Sequence, residues 1–137
     1  MDTVFLDANI LFSAAYQRHS SLRRLWALPN VELVTSGYAA EEARRNLTTH
    51  DQLADLDELL RKVRIAATIP ADHPRPESVK LPEKDRPILL SAMALKSSHL
   101  LTGDFKHFGR YYGQTVKGVP IQTPADYLKK RKVLYGQ

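Results

Sequence analysis

The run Thr3-Val4-Phe5-Leu6 stops abruptly at Asp7, and apolar character then resumes at helical spacing through Ala8-Asn9-Ile10-Leu11. A short apolar run bounded by polar residues suits a strand buried on both faces, as in a parallel sheet. That assignment puts Asp7 at the strand's carboxyl end, where open α/β sheets gather their ligands. Asp is also a favoured helix N-cap. Taken by itself, Asp7 is therefore either a cap or part of a site, and other carboxylates must decide between them.

The rest of the chain alternates in the same way. Ala8 to Tyr16 and Ser20 to Leu28 have helical patterning, and Val31 to Thr35 is a β-rich run. Ser36 is placed to cap a helix ending near Leu47, and Asp51 to cap one ending near Arg64. Ile65 to Ile69 suits a further strand, followed by a proline-rich connection from Pro70 to Pro82. Helical patterning returns from Glu83 to about Ser97, then a short strand, His99-Leu100-Leu101-Thr102, leads into Gly103-Asp104. A brief helix or turn spans Phe105 to Tyr111, and a last strand, Val119-Pro120-Ile121, precedes a helix at Pro124 capped by Thr123. Strands alternating with helices predict one α/β domain over residues 1–137, a mainly parallel sheet with helices on both faces. Right-handed crossovers then bring all parallel strand ends to one edge.

Cysteine is absent, which excludes disulfides and thiolate metal sites and fits a reducing compartment. The N-terminal apolar run is too short for a signal peptide and no segment reaches the length of a membrane span, so a cytoplasmic protein away from membranes is expected. The net charge is +5, and from His99 onward seven Lys/Arg stand against two acids. A basic end on a balanced body fits a polyanionic partner or a solvated tail.

Three further carboxylates have positions comparable to Asp7. On the helix after Ser36, Ala39, Ala43 and Leu47 form the apolar stripe. At about 100° per residue Glu41 points away from it, whereas Glu42 falls at its border, suited to a cleft wall or an ordinary helix flank. Asp85 precedes Ile88 and Leu89 by three and four residues, so it shares their face at the helix start, where the helix dipole also favours an acid. Asp104 repeats the Asp7 arrangement after His99 to Thr102, or simply completes a Gly-Asp turn. Together Asp7, Glu42, Asp85 and Asp104 propose one acidic site at one sheet edge. Clustered carboxylates repel unless a cation neutralises them. Hard oxygen ligands select Mg²⁺ or Mn²⁺ over zinc, and such an ion suits phosphodiester hydrolysis.

The five histidines show no paired ligand spacing, so none is expected as a primary ligand, and there is no glycine-rich phosphate loop. Thr102 and Asn9 flank the strand-end acids as carboxylate partners or as turn and cap residues. Arg44, Arg45, Lys106, Arg110 and the C-terminal Lys/Arg cluster are candidate phosphate contacts, and Tyr111 and Tyr112 are either base-stacking or packing residues. A haloacid-dehalogenase-type phosphatase is discounted because it needs a second Asp where this chain has Asn9. A phosphoacceptor receiver domain needs an acidic pair after the first strand and the acceptor at a central one, and this chain has neither arrangement.

Phe5-Leu6-Asp7-Ala8-Asn9-Ile10-Leu11, Thr35-Ser36 with Glu42, Asp85 with Ile88-Leu89, and Leu101-Thr102-Gly103-Asp104 together resemble the PIN-domain nucleases, above all the small VapC-type toxins. The resemblance implies a three-layer α/β/α domain and a Mg²⁺- or Mn²⁺-dependent endoribonuclease acting on RNA. It makes Asp7, Glu42, Asp85 and Asp104 the catalytic and metal-binding acids, and implies a homodimer and an antitoxin partner. The alternatives are a PIN-like RNA- or protein-binding module without turnover and a non-toxin RNA processing or decay nuclease. Where many relatives carry another acid after the last motif, this chain has Phe105-Lys106-His107-Phe108.

Overall fold

A computed structural model of the chain describes residues 1–67 and 81–135. Most of the proline-rich connection and the Thr68-Ile69 end of the strand predicted from Ile65 lie outside the described residues. The strands are β1 Asp2–Leu6, β2 Val31–Ser36, β3 Arg64–Ala66, β4 His99–Leu101, β5 Thr115–Val116 and β6 Val119–Gln122. The α-helices are α1 Ala8–Tyr16, α2 Gly37–Asn46, α3 His50–Leu60, α4 Arg86–Ala94, α5 Phe105–Phe108 and α6 Pro124–Tyr135. They build a mixed α/β domain on one six-stranded sheet of order β3-β2-β1-β4-β6-β5, parallel except for the β5–β6 pair.

That order makes the fold doubly wound. From β1 the chain winds outward through β2 to β3, then crosses back to β4 on the other side of β1 and continues to β6. With right-handed crossovers the helices after β1 and β2 cover one face, and α4, entering from the opposite direction, covers the other. The winding reverses between β1 and β4, where the crevice at the strands' carboxyl ends is left open to a ligand. Asp7 and Asp104 follow these two strands. Register is set by apolar pairs: Phe5 faces Leu100 and Leu6 faces Leu101 across the ladder, and all four are buried. Each such side chain contributes roughly 1.5–3 kcal/mol by leaving water.

Local chemistry explains where elements depart from the sequence expectation. Ser20 to Leu28 forms a 3-10 segment over Ser21–Ala27, capped by Ser20 Oγ accepting from Leu22 N–H. Ser36 caps α2 as expected, accepting from Ala39 N–H at 3.1 Å. Helix α3 is capped by Thr49 in place of Asp51, because Thr49 and Gln52 complete a capping box. Asp51 sits instead in the first turn, where it complements the dipole. The segment from Glu83 begins as a 3-10 turn and becomes α4 only at Arg86, with Pro87 inside the first turn. Strand β5 was not expected. It pairs with β6 through a two-residue turn in which Lys117 and Gly118 have φ of 48° and 85°. Those positive angles match a type I′ hairpin turn, whose usual first residue is Asn or Asp rather than Lys.

At the opposite edge of the sheet α6 is fastened to the start of β1. Tyr127 Oη donates to Asp2 Oδ2 at 2.6 Å, Arg131 donates to the same oxygen at 3.3 Å, and Arg131 also donates to the Pro29 carbonyl. The Arg131 side chain is 6% exposed, so it is a structural residue and not the phosphate contact expected of the C-terminal basic cluster. Replacing it leaves a partly buried carboxylate and a carbonyl short of a donor. Arg131→Ala is expected to cost about 2 kcal/mol in a chemical-denaturation measurement, the scale of hydrogen bonds to charged groups, while Lys129→Ala and Lys130→Ala at exposed positions change stability little.

Candidate acidic site

The four predicted acids line one open cleft of about 460 Å³ at the switch point, with Ala8, Asn9, Phe12, Ala43 and Asn46 completing its wall. Each arrives from a different element. Asp7 is 3% exposed and caps α1, with Oδ1 accepting from Ala8 N–H at 2.6 Å. Cap and cleft group are thus the same residue. Its Oδ2 is held from two sides, by Thr102 Oγ1–H at 2.8 Å and Asn9 Nδ2–H at 3.1 Å. Glu42 lies on α2 at the border between core and water, while Glu41 is exposed, as the helical spacing predicts. Asn46, one turn after Glu42 on the same face, also reaches the cleft and was not singled out in the sequence.

Asp85 and Asp104 differ in their local duties. Asp85 is 8% exposed and makes no capping hydrogen bond to its own helix, so the dipole account from sequence does not explain where its carboxylate goes. Its Oδ2 lies 2.9 Å from His107 Nδ1. Asp104 caps α5 by accepting from His107 N–H at 3.2 Å, and its Oδ2 lies 2.8 Å from the same Nδ1. A carboxylate only accepts, so Nδ1 donates to Asp104, while the Asp85 oxygen lies beside it at ion-pair distance. Among the described residues, Asp85, Asp104 and His107 bring ligand atoms within 4.8 Å of one another. Asp7 and Glu42 line the same cleft outside that group. The expectation of a purely carboxylate cluster is therefore modified: an imidazole occupies its tightest part. Paired-histidine spacing does not reveal His107, because its partners are a carboxylate three residues back and another at the start of α4.

Thr102 ties the two strand-end acids together. Its hydroxyl donates to Asp7 and accepts from the Asp104 N–H at 3.1 Å and from Asn9 Nδ2–H at 3.2 Å. Asn9 Oδ1 in turn accepts from Gly103 N–H at 2.7 Å. A Cβ on Gly103 would come within 3.2 Å of that oxygen, so glycine permits the close approach.

Burial pushes the Asp7 carboxyl up to about 6, against the hydrogen bonds from Thr102 and Ala8, with the negative charges of Asp85 and Glu42 adding to the rise. The same field reaches Tyr38 on α2, whose phenol is raised by burial first and then by Glu42, Asp85 and Asp7. The basic surroundings are smaller than expected. Arg44 is engaged by Asp57 at 2.7 Å and Arg131 by Asp2, whereas Arg45, Lys106 and Arg110 are exposed. Tyr111 is buried in the core, and Tyr112 donates its hydroxyl to the Thr102 carbonyl at 2.9 Å. The aromatic left exposed beside Asp104 is Phe105.

A raised carboxyl favours folding in its neutral form, so this contribution is complete below the unfolded value near 4 and is lost as pH rises through about 6. The difference is on the order of 3 kcal/mol. In EDTA, Asp7→Asn is expected to gain melting temperature relative to wild type as pH goes from 4 to 8. A constant gap between the two across that range means that Asp7 is not a strained acid. Thr102→Val removes a bond that favours the ionised form and is expected to move the wild-type transition to higher pH.

No protein-family model and no curated protein sequence matches the chain. Solved structures do. The crystal structure of VapBC2 from Rickettsia felis bound to a promoter DNA fragment aligns with TM-score 0.66 and 16% identity over 88% of this chain and 98% of that one. VapC20 from Mycobacterium tuberculosis, a toxin that cleaves the sarcin-ricin loop, aligns with TM-score 0.53 and 16% identity over 74% and 92%. VapBC-1 from nontypeable Haemophilus influenzae aligns with TM-score 0.55 and 17% identity over 90% and 98%. With its sheet order and its cleft at the β1–β4 reversal, this chain has the PIN-domain fold of the VapC-type structures.

Proposed function

We propose that the chain is a divalent-metal-dependent endoribonuclease, the toxin of a toxin–antitoxin pair, in which Asp7, Glu42, Asp85 and Asp104 are the catalytic and metal-binding acids and Mg²⁺ or Mn²⁺ is the ion. The observation that carries this reading is the convergence of these four acids, from four separate stretches of chain, on one open cleft. The donor set fits such an ion. It is dominated by hard carboxylate oxygens, has no thiolate, and leaves Asp7 ionised only at a cost that a nearby cation offsets. An ion held by Asp85 and Asp104 would have to displace the His107 Nδ1 contact from the same oxygens.

Once bound, the ion supplies Lewis-acid charge to the phosphoryl group and makes water a competent nucleophile near neutral pH. The protein's own part is positioning. Both Asp7 oxygens are pinned, one by a backbone N–H and the other by Thr102 and Asn9, so the carboxylate loses little freedom when it takes up a ligand. Exposed Arg45, Lys106 and Arg110 offer cations to the phosphates of a strand that continues beyond the cleft. A module that only binds RNA or protein gains nothing from a buried carboxylate whose ionisation is penalised, and the intact acidic set argues against that alternative. The toxin assignment draws its support from the solved neighbours, which include toxin–antitoxin assemblies. No helix among the described residues is long and apolar enough to cross a membrane.

Purified protein is expected to cut single-stranded RNA with Mg²⁺ or Mn²⁺ and to stop in EDTA. Asp104→Asn and Glu42→Gln are each expected to lower the rate by roughly 100-fold or more, the loss typical of removing a fixed electrostatic group from a catalytic centre. Equal cleavage by wild type and Asp104→Asn places the activity elsewhere. Induction of the wild-type chain alone should arrest growth while Asp7→Asn does not. RNA cleavage without growth arrest assigns the protein to RNA processing or decay.

A further inference from the structure

We propose that Phe105, the residue after the cleft-lining Asp104, is a stacking platform for an unpaired base of the RNA substrate; this rests on the nuclease reading above. Phe105 is 76% exposed, whereas Phe108, three residues on in the same short helix, is completely buried. The core therefore takes its aromatic from position 108 and leaves the other in water. An isolated exposed apolar side chain is ordinary on any protein surface. This one is distinguished by how it is held and by what surrounds it.

The ring is placed from two sides. A methyl group on Gly109 would sit 3.1–3.3 Å from three of its ring atoms, so the glycine lets the ring lie down on the backbone. Tyr112 meets it at a centroid distance of 6.3 Å and an interplanar angle of 43°, and Tyr112 is itself anchored to the Thr102 carbonyl. A ring already oriented this way gives up little rotamer freedom on contact. Asp104, the residue before Phe105, lines the cleft, so a strand with a phosphate at the acids would bring a neighbouring nucleotide within reach of the ring. Lys106 and Arg110, one and five residues further on, are exposed. An exposed aromatic face with exposed cations in the same segment is the chemistry of single-strand nucleic-acid binding, in which bases stack without sequence readout while cations follow the backbone. The positive charge of this segment favours a polyanionic strand over an apolar peptide.

The test compares wild type, Phe105→Leu and Phe105→Trp on a single-stranded RNA and on the same RNA with one base next to the scissile phosphate removed. On intact RNA, Phe105→Leu is expected to raise KM about tenfold, within the range of base–aromatic stacking, with kcat little changed, and Phe105→Trp to keep wild-type KM or lower it. On the abasic RNA wild type should lose a similar factor and Phe105→Leu nothing more. A Phe105→Leu enzyme with wild-type KM, or losses from side chain and base that simply multiply, overturns the stacking role and leaves the nuclease standing. A wild-type protein that neither binds nor cuts RNA overturns the nuclease reading and the stacking role with it.

Discussion

The pairing of β1 with β4 is the contact on which the cleft depends. Leu6 and Leu101 close the ladder side by side, so the next residues of both strands, Asp7 and Thr102, emerge together at the sheet edge. The hydroxyl of Thr102 then reaches the Asp7 carboxylate at 2.8 Å, and its oxygen receives the Asp104 N–H. A slip of one residue would turn every side chain of one strand to the other face of the sheet, misfit the packing of both buried layers and take Thr102 away from Asp7. The hydrophobic register of the sheet and the geometry of the acids are therefore the same constraint.

A cost is attached to this placement. Asp7 is buried where its charge is poorly solvated and where Asp85 and Glu42 add repulsion, and its three local hydrogen bonds compensate only in part. His107 gives partial relief by donating to Asp104 with its ring nitrogen close to Asp85 as well. Conflict of this kind between a site and the stability of its fold is characteristic of places built to take a ligand. A cation is the natural complement because it removes repulsion and poor solvation together.

The two ends of the sheet divide the labour. At the carboxyl end, like charges are held apart by hydrogen bonds and face an open cleft. At the amino end, Asp2 is surrounded by Tyr127 and Arg131 and has His99 Nε2 at 3.6 Å, a compensated cluster that holds α6 to β1. The basic excess toward the C-terminus, which from composition alone suggests a nucleic-acid tail, is thus partly structural. The cations left exposed near the acids come instead from α2 and from the turn after β4.

How far this could be read from the chain depends on the range of the forces involved. The apolar runs ending at Asp7 and Asp104, the border position of Glu42, the caps at Ser36 and Thr123 and the alternation of strands with helices are local patterns, and they determined the fold class and the four candidate acids. Local competition already blurred some details: Thr49 took the cap expected of Asp51, and Lys117-Gly118 made a hairpin without the usual turn residues. What tertiary structure alone decided is which of these groups meet. The imidazole of His107 lies against Asp85 because α4 crosses back beside β4, Arg131 is spent on Asp2 because α6 returns to the start of β1, and Tyr111 goes into the core while Phe105 stays in water. Such contacts join residues far apart in sequence, and no periodicity encodes them. They follow from the strand order, which the packing of the whole core selects.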